Sequence, residues 1–128
     1  MNDQLEANKA VARDILDLAF NLKRPEEAAA KYIGPRYRQH NPSAGDGAEP
    51  FIAFVHEFVK AFPYLRYEMK RQVAEGDLVA QHSHIIRNEG DPGLAVVDIF
   101  RLEGSKIVEH WDVIQEVPKA SANDNTMF

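Results

Sequence analysis

The sequence predicts an α+β domain, with helices packed on one face of a mainly antiparallel sheet. Two observations carry this expectation. Up to Phe62, apolar residues recur at three- and four-residue spacing; beyond Pro63 the pattern changes to strands punctuated by Gly76-Asp77 and Gly104-Ser105. The chain has 128 residues, which suits a single core.

Val11, Ile15, Leu18 and Leu22, with Ala12 and Ala19 beside them, make Leu5 to Leu22 an amphipathic helix. Asn2 or Asp3 is placed to cap it. Pro25 suits the first turn of a second helix, Glu26 to Tyr32, which Gly34-Pro35 stops. Tyr37 to Pro42 is extended, because Pro42 pushes Asn41 out of the helical region. A third helix spans about Glu49 to Phe62, with Phe51, Phe54, Val55, Phe58 and Phe62 on one face. That stripe reads first as core, with Phe54 and Phe58 also available to wall a pocket. The strands Arg66–Ala74, Leu78–Arg87, Leu94–Leu102 and Lys106–Val117 follow as a meander. Residues 1–117 form the domain, and 118–128 form a polar tail tipped by Met127-Phe128. Burying those two side chains is worth about 1.5–3 kcal/mol each, so the tip is expected to dock.

The net charge of −5 and the scattered Lys and Arg residues argue against a nucleic-acid partner. No cysteine is present, so thiol chemistry, disulfides and Cys-ligated metals are excluded. No apolar run is long enough for a membrane span, and the first residues lack a signal-peptide core. A cytoplasmic, soluble protein is expected.

Strand alternation divides the sheet into two faces. Turn arithmetic at Gly104-Ser105 pairs Asp98 with Trp111, and at Gly76-Asp77 pairs Arg71 with His82 and Met69 with His84. The loop between the hairpins leaves the middle register open by one residue. Setting His84 opposite Asp98 collects the apolar residues best. The pocket face then carries His82, His84, Asp98, Phe100, Glu109, Trp111 and Gln115. The outer face carries Gln81, Val97, Ile99, Val108, His110 and Asp112, and a second copy of the chain is its expected cover. A one-residue slip exchanges parts of these sets.

Helix–helix–QHNP–helix–meander, ending in DIFRLEGSKIVEHWDVIQ, resembles the SnoaL-like polyketide cyclase family. That family belongs to the wider fold of nuclear transport factor two and ketosteroid isomerase. The resemblance covers the chain from the first helix to Gln115, and extends to bacterial SnoaL-like proteins of aldol-condensation type. It implies a cone-shaped barrel, with three N-terminal helices on a curved sheet of four to six strands around a deep apolar pocket. It further implies a homodimer, and an Asp acting as acid/base with no metal or organic cofactor. Characterised members often carry that Asp where Gln115 stands here.

Asp98, between Val97 and Ile99, is the leading catalytic candidate, since a bare carboxylate is costly to bury in an apolar strand. The competing reading is a structural carboxylate paired with His84, Arg71 or a backbone amide. His84 is the expected partner in catalysis. Trp111, Gln115, His82 and Phe100 are expected to contact the substrate, with His40 and Asn41 at the pocket mouth. An HxH pair plus His40 is also a conceivable metal set, but strand-spaced His pairs arise by chance and no metal is assigned. Two functions follow. One is a cofactor-independent isomerase, cyclase or aldol-type enzyme on a small carbonyl compound; the other is a non-catalytic binding or dimerisation module.

Overall fold

The computed structural model describes residues 3–128, so Asn2, one of the two expected caps, lies outside the described residues. Its elements are α1 (Asp3–Leu16), a π-turn (Asp17–Asn21), α2 (Pro25–Tyr32), β1 (Ile33–Gln39), α3 (Ala48–Ala61), β2 (Arg66–Glu75), β3 (Leu78–Ile86), β4 (Leu94–Glu103) and β5 (Lys106–Glu116). Three helices pack on a five-stranded sheet of order β1-β5-β4-β3-β2. β1 runs parallel to β5 and every other pair is antiparallel. The sheet does not close on itself.

The helices supply the lid of the core. α1 buries Ala12, Ile15 and Leu16, and the small residues Ala12, Ala19 and Ala28 are fully buried, which lets the elements approach closely. Past Leu16 the helix widens, with the Leu22 N–H donating to the Asp17 carbonyl at 2.9 Å. That extra residue per turn turns Leu18, Ala19 and Phe20 inward together. It also aims the Asn21 amide at β2, where Nδ2 donates to the Tyr67 carbonyl and Oδ1 accepts the Tyr67 N–H, both at 2.8 Å. Asn21 thus acts as a one-residue strand that fixes Tyr67. α3 places Phe51, Phe54 and Phe58 over the sheet, with Phe20 and Phe58 edge to face at 6.0 Å.

Both hairpin turns stand where the sequence put them: Arg71 pairs with His82 and Leu102 with Ile107. The registers beyond them differ from expectation in three places. In β5, Leu102 faces Ile107 but Arg101 faces Glu109, so Val108 is an unpaired bulge residue. One extra residue inverts the alternation that follows it. Asp98 therefore pairs with Asp112, not Trp111. In β2, Lys70 is a second bulge, so Met69 faces Ser83 and not His84. Between the hairpins, His84 faces Ala95 while Asp98 faces Gln81. That offset of three positions is odd, so the β3 face is inverted as well.

The result is a buried face of Val79, Gln81, Ser83 and Ile85 on β3, Val96, Asp98, Phe100 and Leu102 on β4, and Ile107 and His110 on β5. His82, His84, Trp111 and Gln115 turn away from it. His84 donates Nε2–H to the Pro92 carbonyl at 2.8 Å. The tail returns to this outer face, where the Phe128 ring lies on His84 at 4.1 Å and near His82 at 5.6 Å.

Candidate functional site

A cavity of about 100 Å³ lies between α3 and the inner sheet face. Phe20, Phe54, Phe58, Tyr37, Tyr67 and Phe100 wall it, and no Lys or Arg is among its lining residues. Its polar groups are Asp98, His110, Asp112, Gln39 and Asn41 together with the two tyrosine hydroxyls. Asp98, His110, Tyr37 and Tyr67 are buried, whereas Asn41, Ala44, Leu94 and Ile114 retain exposure and mark the mouth. A larger groove of about 650 Å³ runs along α1 and β2, but it is lined by Arg13, Asp14 and Asp17 and is open to solvent. It lacks a buried acid paired with a histidine.

Asp98 is 3% exposed and is hydrogen-bonded by Tyr67 and His110. The Tyr67 hydroxyl donates to Oδ2. His110 Nε2 lies 2.8 Å from Oδ1 and 4.0 Å from Asp112 Oδ2. The far side of the His110 ring faces Gln39, with Nδ1 2.8 Å from Oε1. Asn41 donates Nδ2–H to both oxygens of Asp112 at 3.0 Å. Phe100 packs on the His110 ring at 4.9 Å.

Burial is the main cause that raises the Asp112 pKa; the Asn41 hydrogen bond and His110 oppose it, and Asp98 adds to it. Burial, with the nearby Asp98, also pushes both tyrosines far up, so Tyr37 and Tyr67 keep their hydroxyl hydrogens. The chemistry this permits is proton transfer to a small molecule in an otherwise apolar space. Among the described residues, Asp98, His110 and Asp112 also form a group whose donor atoms lie within 4.8 Å of one another. The shortest of those separations, between His110 and Asp98, is that of a direct hydrogen bond.

Of the residues the sequence singled out, Asp98, Asn41, Phe100, Phe54 and Phe58 line this cavity. His84, His82, Trp111, Gln115 and His40 do not. His40 stacks on Trp111 at 4.9 Å and donates Nε2–H to Glu109 Oε2 at 2.7 Å, and Arg101 Nε holds the other Glu109 oxygen at 2.9 Å. Those four residues form a separate cluster outside the cavity. His110, expected at a subunit interface, is instead the direct neighbour of Asp98. Gln39, Tyr37, Tyr67, His110 and Asp112 escaped the sequence reading of the site. One signal was available: Gln39 and Asn41 are two apart on an extended stretch, so they share a face that His40 cannot share.

The matching family is that of the SnoaL-like domain, whose model covers residues 12–110. The chain belongs to the SnoaL-like family. Its fold recurs in solved structures of low identity. TsrD from Streptomyces laurentii is 22% identical with a TM-score of 0.68, covering 82% of this chain and 88% of that one. IdmH from Streptomyces antibioticus, assigned as a polyketide cyclase, is 23% identical with a TM-score of 0.67, covering 84% and 91%. A protein of Agrobacterium tumefaciens, assigned as an isomerase of the SnoaL-like family, is 16% identical with a TM-score of 0.73, covering 86% and 98%. A search of curated proteins finds no match. At these identities the structural neighbours establish the fold, the α+β architecture of SnoaL-like proteins.

Proposed function

We propose that this SnoaL-like protein is a cofactor-independent acid–base enzyme that enolises a small, neutral carbonyl compound. Isomerisation, cyclisation and aldol chemistry all begin with that step, and the assignments of the structural neighbours as cyclase and isomerase agree with it. The observation that carries the reading is Asp98: a buried acid, hydrogen-bonded to His110 and Tyr67, at the base of an aromatic-walled cavity. Buried titratable groups in a ligand-sized cavity are where acid–base catalysis is expected.

Two features narrow the substrate. An apolar cavity of about 150 Å³ accepts benzene; this one, at about 100 Å³, is smaller and suits a short-chain compound. Two carboxyl groups without a lining cation disfavour an anionic substrate. The exposed valines Val73, Val97 and Val113 on the outer sheet face are proposed as the contact for a second copy.

Acetone in D₂O tests the enzyme reading. The wild type is expected to accelerate exchange of its α-protons, and Asp98→Asn to lower that rate by about 10²–10⁴-fold, the usual contribution of a positioned acid or base. Saturable binding without exchange by the wild type would replace the enzyme with a binding module.

A further inference from the structure

We propose that Gln39 is a positioning residue that sets the proton count of the Asp98–His110 pair. The Gln39 amide has only one workable orientation. The Asn41 backbone N–H donates to Oε1 at 2.9 Å, while Nε2 donates to the Tyr37 hydroxyl at 3.0 Å. Reversing the amide would set its NH₂ against the Asn41 N–H, donor against donor. Oε1 therefore also faces His110 Nδ1, and an amide oxygen only accepts. Nδ1 must carry hydrogen.

The other ring nitrogen then has two options. A neutral ring with hydrogen on Nδ1 has a bare lone pair on Nε2. An ionised Asp98 oxygen 2.8 Å away would set two acceptors against each other. A hydrogen must lie between them. Whether it belongs to an imidazolium facing a carboxylate or to a carboxylic acid facing a neutral imidazole, the total is the same. The pair holds one proton more than a neutral histidine beside an ionised aspartate would. The Tyr67 hydroxyl does not supply it, because that hydrogen is already given to Oδ2.

The titratable groups facing the pair are Asp112 from β5, Tyr37 from β1 and Tyr67 from β2; α3 offers only aromatic carbon. On the enolisation reading above, the two acids then divide the work. Asp112 takes the α-proton, the C–H electrons become the enol C=C bond, and the carbonyl oxygen takes the proton from the Asp98–His110 pair. When Asp112 returns its proton to carbon and the enol hydroxyl returns its proton to the Asp98–His110 pair, the carbonyl re-forms and both groups are restored.

The test is the ¹H–¹⁵N ring spectrum of His110 at pH 7 in the full chain, for wild type, Gln39→Glu and Gln39→Leu. The wild type is expected to show hydrogen on Nδ1, and Gln39→Glu, which keeps an acceptor, to retain it. Gln39→Leu frees the ring to adopt the other tautomer, with Nε2–H donating to Asp98. A wild-type ring with bare Nδ1 overturns the proposal, as does Gln39→Leu that leaves Nδ1–H in place. If Gln39→Leu does not fold, the wild-type and Gln39→Glu spectra decide. This readout needs no turnover, so it stands or falls apart from the enzyme reading.

Discussion

Asp112 is held close to Asn41 yet half-buried beside a second acid, and its partial burial raises its pKa. A carboxyl group that binds its proton more tightly when folded costs stability as pH rises. Between the unfolded carboxylate range and the raised folded value, the native state holds more protons than the unfolded chain. Above that window the penalty is complete, and below about pH 3 it vanishes. Asp112→Asn keeps the shape and an acceptor for Asn41. Calorimetry should therefore show a higher Tm than wild type at pH 7, with the difference closing as pH falls. A lower Tm at pH 7 would mean that Asp112 is a structural anchor. At this scale the sequence showed that Asp98 is unusual, because a carboxylate between Val97 and Ile99 is costly on either face. It did not show which partners satisfy the acid, since Tyr67 and His110 reach it only through the fold.

The elements explain why. Val108 and the loop Arg87–Gly93 decide which side chains share the cavity, and neither follows from alternation. The bulge at Val108 brings Asp112 round to the cavity while sending Trp111 out. A weak trace of it exists in the sequence, where Ile107 and Val108 are adjacent apolar residues just after the turn. The loop fixes the β3–β4 register through Asp91, whose carboxylate accepts Arg87 Nε–H at 2.9 Å and the Gly93 N–H at 3.0 Å. The Arg87 guanidinium holds Asp91 well below the usual carboxylate range. Gly93 is in the left-handed region at φ 86°, and a Cβ there would lie 2.3 Å from the Ile85 carbonyl oxygen. Gly93→Ala combines backbone strain with a contact to main chain, which cannot rotate away. A loss of about 2–4 kcal/mol is expected in urea unfolding. A loss below about 0.5 kcal/mol would show that the loop does not hold the register.

On the scale of the whole molecule, the two periodicities sufficed for three helices on a mainly antiparallel sheet. The family match to residues 12–110 agrees with that reading. The parallel pairing of β1 with β5 joins residues about seventy positions apart, beyond what local pattern can show. That pairing brings Gln39 and Asn41 to His110 and Asp112, so the site is assembled by the least local contact in the sheet. A cavity of about 100 Å³ beside Asp98, with no lining cation, suits a small neutral compound. The carbonyl ¹³C resonance of [2-¹³C]acetone tests directly whether the acid reaches the substrate. Binding to the wild type should move that resonance downfield, as a hydrogen-bonded carbonyl does, and Asp98→Asn should bind the ketone with most of the shift lost. A bound ketone whose carbonyl resonance is the same in wild type and Asp98→Asn would contradict the account.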